Sequence, residues 1–230
     1  MPPLSRDIQR ASCTPCIEKR AFRNGKAVVL FAVLSVVAAG LDLWTKHVAF
    51  TRMMDDPSIP KRVEALFGTT QPTDVTPKIT HTVLSRLHLT KPVCPGLSIT
   101  LSTNPGVVFG IRWFTLWMVN TITVFMMLFV TGFFLFSDAK HYWLHAALAL
   151  LLGGSFGNLY DRLTSCVSLP YLPPIRYHVR DFIDCSDLGY QWVFNLADAW
   201  LVIGVGMILV YWLWSGRKAR QQLAASKKKL

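Results

Sequence analysis

Four stretches of this chain hold too many apolar residues in a row to lie on the surface of a water-soluble domain: residues 27–47, 113–136, 142–160 and 192–214. Each is close to the roughly 20 residues that a helix needs to cross a bilayer's hydrocarbon core. Inside that core the backbone must satisfy its own hydrogen bonds, so such runs are helices packed on one another. Composition agrees, since 52% of the residues are apolar and only 16% charged, against about a quarter charged in an ordinary soluble domain. The expected fold is an α-helical membrane protein with four transmembrane helices. A cleavable secretory leader competes for the first run, because Ala38-Ala39-Gly40 suits a cleavage site. The long basic preface and three later runs weigh against it.

The net charge of +11 sits largely at the two ends. Residues 1–26 carry Arg6, Arg10, Lys19, Arg20, Arg23 and Lys26 against Asp7 and Glu18, and residues 215–230 carry six basic side chains and no acid. Short basic flanks stay in the cytoplasm. This pattern orients a membrane domain over residues 27–214 between two cytoplasmic segments, and no nucleic-acid partner is expected. Loops 48–112 and 161–191 then fall on the outer side. The first is broken by Pro57, Pro60, Pro72, Pro77, Pro92 and Pro95. Alternation of apolar and polar residues from Leu97 predicts a strand, Asn104-Pro105-Gly106 predicts a turn, and the stretch around Asp181 predicts a second strand.

Five cysteines offer a lone Cys13-Thr14-Pro15-Cys16 and no second pair, so no metal is expected. Cys94, Cys166 and Cys185 share the outer side, which permits one disulfide without choosing its partners.

That topology brings every unusual polar cluster to one face. Asp42 and Lys46, at i and i+4, close the first helix and can pair. Asn104 and Gly106 precede the second. Gly153, Gly154 and Gly157 allow close helix approach near the outer end of the third, where Asn158, Asp161 and Arg162 share a helical face. Asp181, Asn195 and Asp198 lead into the fourth. Carboxylates at a membrane boundary are costly to desolvate and point to function. Two in one pocket cannot comfortably both ionise, which makes Asp181 and Asp198 a candidate acid and base for activating water. His178 lies near Asp181 but has no matching nucleophilic serine motif. A proton or cation path would place its acids nearer mid-membrane, and a non-catalytic assembly protein would use them as interfacial caps.

Five blocks occur in order: Leu41-Asp-Leu-Trp-Thr-Lys46, Asn104-Pro-Gly-Val-Val-Phe-Gly110, Gly153-Gly-Ser-Phe-Gly-Asn-Leu-Tyr-Asp-Arg-Leu163, Val179-Arg-Asp-Phe-Ile183 and Phe194-Asn-Leu-Ala-Asp198. In these the chain resembles the lipoprotein signal peptidases (signal peptidase II), integral-membrane aspartic endopeptidases of bacteria. The resemblance implies four transmembrane helices with a small extracytoplasmic β-sheet cradle, in the bacterial inner membrane. It implies Asp181 and Asp198 as catalytic residues. Asn104, Gly106, Asn158, Arg162 and Asn195 would position them and the substrate, and Asp42, Lys46 and Asp161 would support the site. The implied substrate is a diacylglyceryl-modified prolipoprotein, cut just before its lipidated cysteine by a monomer that contacts membrane lipid and uses no cofactor. Three features depart from the family's pattern: Arg180 where an apolar residue is usual, a long first outer loop, and an apparent insertion at 165–176.

Overall fold

The computed structural model describes residues 20–67, 84, 86–87, 89–106 and 116–227, with side chains to residue 217. Residues 1–19 of the expected cytoplasmic segment 1–26, with the Cys13/Cys16 pair, residues 107–115 and the last three positions, Lys228, Lys229 and Leu230, lie outside the described residues.

Helix α1, Gly25–Met54, opens on Asn24, whose side chain accepts from the N–H groups of Lys26 and Ala27. Such a cap satisfies donors that have no partner within the helix. The helix runs well past the expected end at residue 47. No breaker stands between Val48 and Met54, and Ala49, Phe50 and Met53 are buried on one face. A short helix, α2 (Ile59–Phe67), follows with Ile59 and Val63 buried and Lys61, Arg62 and Glu64 exposed. This helix is not expected from the sequence, which predicts only a strand and a turn within the first loop.

Two further helices, α3 (Leu116–Phe136) and α4 (Tyr142–Thr164), and a last one, α5 (Leu196–Lys227), complete the helical layer. The start of α5 corrects the expected fourth run, because Tyr190–Phe194 is a strand. Its aromatic and β-branched residues suit a strand, and Asn195 begins the helix only afterwards.

Among the described residues, α1, α3 and residues 196–217 of α5 are long and apolar enough to cross a membrane. Their outward faces are large apolar side chains: Val36 is 71% exposed, Phe129 65% and Val202 73%. Such continuous apolar exposure marks an apolar solvent rather than water. Helix α4 is different in kind. It packs on α1, α3 and α5, and its buried side chains include His145, Asn158 and Asp161.

Close packing of α4 depends on its glycines. A Cβ on Gly153 would lie 2.7 Å from Ala38 Cβ and from the Ser35 carbonyl oxygen of α1, and one on Gly154 would lie 2.6 Å from the Ala197 carbonyl oxygen of α5. One on Gly157 would collide with the carboxylate of Asp42.

The strands β1 (Thr90–Cys94), β2 (Leu97–Asn104), β5 (Val179–Cys185) and β6 (Tyr190–Phe194) form an antiparallel sheet in the order β1-β2-β5-β6. A small ribbon pairs β3 (Cys166–Val167) with β4 (Ile175–Arg176). Both strands expected from the sequence are present. Cys94, Cys166 and Cys185 are all free. Cys94 and Cys185 sit on strands separated by β2, about 10 Å apart by strand spacing, beyond the roughly 7 Å that a disulfide spans.

One apolar core joins the end of α1 (Phe50, Met53) to α2 (Ile59, Val63), to Leu84 and Leu87, and to the 165–176 insertion through Leu169, Leu172 and Ile175. The two stretches that depart from the family's usual lengths thus pack on each other. A second core at the other end of the helices centres on Phe31 and Phe134, whose rings stack at 4.0 Å.

Gly153→Ala is expected to lower the unfolding midpoint in detergent, with a cost of about 1–3 kcal/mol from overpacking. Gly132→Ala on α3, where a Cβ meets nothing within 4 Å, is expected to be neutral or stabilising.

Candidate active site

The sheet fixes the first carboxylate. Register places Asp181 opposite Ser102 and Val179 opposite Asn104, so Asp181 and Asn104 lie diagonally on one face while Arg180 and Thr103 take the other. Asn104 Oδ1 accepts from the Gly106 N–H at 2.8 Å, and Gly106 has φ +83°. That left-handed backbone suits glycine, and a Cβ there would approach Arg162 Nε at 3.3 Å.

The second carboxylate belongs to a helix cap. Asn195 Oδ1 accepts from the Asp198 N–H at 3.0 Å, while the Asn195 N–H donates to Asp198 Oδ2 at 3.3 Å. This reciprocal pair is a capping box, built here from Asn and Asp. The cap leaves Asn195 Nδ2 free to donate elsewhere. It reaches Asp181 Oδ1 at 2.5 Å and Asn158 Oδ1 at 3.1 Å. Asn195 therefore touches both carboxylates, and Asn158 Nδ2 completes the link by donating to Asp198 Oδ1 at 2.8 Å.

Beneath them lies a buried ammonium. Lys46 is wholly buried and lies 2.7 Å from Asp42 Oδ2, 3.4 Å from Asp161 Oδ2, and 2.9 Å from Asn158 Oδ1, to which it donates. The i, i+4 pair expected from the sequence is formed. Asp42 Oδ1 also accepts from the Ala197 N–H in the first turn of α5 at 2.8 Å, which fastens α1 to that helix end.

Arg180 has a role that the sequence did not reveal. It turns away from Asp181, as strand alternation predicts, and its Nε and terminal nitrogen donate to Asp161 Oδ1 at 3.1 and 2.7 Å. Its backbone N–H donates to Asp161 Oδ2 at 2.9 Å. Asp161 thus clamps β5 one residue before Asp181. The sequence signal was an arginine next to Asp181 in a strand that is half-buried, where a cation needs a partner.

The sequence-predicted residues converge in two ways. Asn158, Asn195, Asp181 and Asp198 form one connected group, and Asp42, Lys46 and Asp161 support it. Arg162 carries a buried Nε with no hydrogen-bond partner among the described residues, beside Gly106 and within electrostatic reach of both carboxylates. Asn104 is exposed at the rim. Among the described residues, no group of three or more His, Cys, Asp or Glu converges as a metal ion requires.

Burial first, and then the Asp198 charge, push the Asp181 carboxyl up to about 7, against the Asn195 hydrogen bond, Lys46 and the Asn104 hydrogen bond. Four carboxylates here face Lys46, Arg162 and Arg180. One proton on the Asp181–Asp198 pair would balance the charge.

A family model described as signal peptidase (SPase) II matches residues 34–214. The chain belongs to that family. Among curated relatives, the lipoprotein signal peptidase of Halalkalibacterium halodurans is 26% identical over 196 residues, covering 84% of this chain and 98% of that protein. The lipoprotein signal peptidase of Bartonella tribocorum is 29% identical over 133 residues, covering 56% and 73%. Two solved structures titled as a bacterial membrane enzyme, at 2.3 and 1.9 Å, share the fold with TM-scores of 0.54 at 22% and 23% identity. They cover 85% of this chain and 92% and 97% of theirs. The family is one of aspartic peptidases.

Two outcomes follow from this geometry. Between the unfolded value near 4 and about 7, folded Asp181 holds more proton than the unfolded chain, so its contribution to stability falls as pH rises. Asp181→Asn removes that titration. Its unfolding midpoint relative to the parent is expected to rise between pH 5 and pH 8 in detergent, and an advantage that shrinks over this range would contradict the assignment. Arg180→Leu is expected to cost about 3 kcal/mol, the lower end for a broken buried pair. The double variant Arg180→Leu, Asp161→Asn should cost less than the sum in a thermodynamic cycle.

Proposed function

We propose that Asp181 and Asp198 are the catalytic pair with which this chain removes signal peptides from diacylglyceryl-modified prolipoproteins, cutting before the lipidated cysteine. Family membership supports the activity. The contact of Asn195 with both carboxylates carries the assignment of the residues, because it makes two side chains 17 positions apart in sequence into one acid–base unit.

In this reading the pair shares one proton, held on the more buried Asp181. Asp198 takes a proton from water as the water oxygen bonds to the scissile carbonyl carbon, and Asp181 donates its proton to the carbonyl oxygen. Asp198 then passes its proton to the amide nitrogen as the C–N bond breaks, and a hydroxyl of the collapsing diol returns a proton to Asp181. Asn158 and Asn195 fix the two carboxylates, and Arg162, whose buried Nε lies against Gly106, adds positive charge beside them. Asn104 and Gly106 shape the rim.

The same reading places α1, α3, α4 and α5 across the bacterial inner membrane as four transmembrane helices. The membrane domain spans 27–214 between cytoplasmic segments 1–26 and 215–230. The sheet and carboxylates lie on the extracytoplasmic side in contact with lipid, in a monomer. The basic ends of the sequence and the apolar exposure of the helices support this placement, and the glycine-lined packing of α4 against α1 and α5 supports its crossing with them.

Asp181→Asn and Asp198→Asn are each expected to reduce cleavage of a diacylglyceryl-modified precursor at least about a hundred-fold, the lower range for loss of a general acid or base, while both proteins still insert and purify. A gel-shift assay with modified and unmodified precursor reads the result. Cleavage surviving in the double variant would overturn the assignment.

A further inference from the structure

At the end of the helices opposite the carboxylates, the first turn of α4 and residues 210–217 of α5 enclose a cleft of about 690 Å³. It lies roughly 22 Å along α4 from Asn158, fifteen residues at the helical rise. Its mouth carries Lys140 and Arg217, and its walls include Tyr142, Trp143 and Trp214. Tyr142 is 42% exposed, Trp143 54% and Trp214 60%. The His141 and Tyr211 rings, which also line it, lie 5.5 Å apart. Neither Lys140 nor Arg217 is ion-paired with a described residue. Asp138, the nearby acid, accepts from the Lys140 backbone N–H at 3.0 Å.

These features are ordered as the layers of a lipid are. Two cations stand where a phosphate would sit, and arginine matches phosphate oxygens with paired donors. Aromatic rings follow at the level where amphipathic rings favour the membrane–water boundary. Toward the bilayer centre, Val210 and Leu213, 58% and 66% exposed, offer an apolar track for acyl chains. The edge of Trp143 is fixed by its Nε1, which donates to the Met207 carbonyl at 3.1 Å, so the wall is built rather than incidental.

We propose that this cleft binds one anionic phospholipid of the leaflet opposite the carboxylate pair. The inference rests on the membrane placement and not on the peptidase chemistry. Native mass spectrometry of the delipidated full chain in detergent, with equimolar phosphatidylglycerol and phosphatidylcholine, tests it. The parent protein is expected to retain one phosphatidylglycerol preferentially. Lys140→Ala with Arg217→Ala should lower that retention about ten-fold, with cleavage of the modified precursor unchanged. Lys140→Arg with Arg217→Lys should keep it. Replacing Lys227, Lys228 and Lys229 by Gln should also keep it, because the site is local rather than a diffuse tail field. Equal retention of the two lipids, displacement by equimolar inorganic phosphate, survival in the double alanine variant, or loss in the tail variant would each overturn the proposal.

Discussion

The structure depends on a buried ammonium. Lys46 has no contact with solvent and holds Asp42, Asp161 and Asn158 at once. An isolated charge in such surroundings costs several kcal/mol, and removing one member of a buried pair strands the rest. Through these partners Lys46 joins α1 to α4, through Asp42 it joins both to the first turn of α5, and through Asp161 and Arg180 it reaches the strand of Asp181. The helices cannot separate without exposing unpaired charge to an apolar medium. Glycine at 157 is part of the same arrangement, since a side chain there would take the space of the Asp42 carboxylate.

Above this frame, single residues do two things. Asp198 caps the helix that carries it, and Asn195 begins that helix while holding Asp181. The cap removes rotational freedom from the second carboxylate, and under the proposed function that preorganises it. Asp181 is held differently, by sheet register and by the clamp of Asp161 on its neighbour. One carboxylate is positioned by a helix and the other by a strand, and the two asparagines set their separation.

Much of this was legible in the sequence where the signal was local. The i, i+4 spacing of Asp42 and Lys46, the glycines of α4, the strand alternation after Leu97 and the asparagine–aspartate pair at 195 and 198 each dictate geometry within a turn or two. Contacts between distant segments were not legible. Arg180 finds Asp161 nineteen positions away, and nothing in either local pattern names the other. The first loop and the 165–176 insertion read as separate departures, yet they share one apolar core, because tertiary packing rather than periodicity unites them. Helix ends moved for a related reason. Residues 48–54 continue α1 because that core buries one face of them, and residues 192–194 belong to a strand rather than to α5 because β5 offers them a pairing partner.

The length of α1 sets a scale. From its cap at Asn24 to Lys46 there are 22 residues, roughly 33 Å at the helical rise, close to the hydrocarbon thickness of a typical bilayer. In the proposed placement the helix is then a ruler with the carboxylates at its outer mark. Two more turns of the same unbroken helix enter the outer core, so that core cannot shift its height independently of the ruler. A thinner or thicker membrane would be met by tilting of the whole body. In that placement the depth of the carboxylates is written into the span between one asparagine and one lysine.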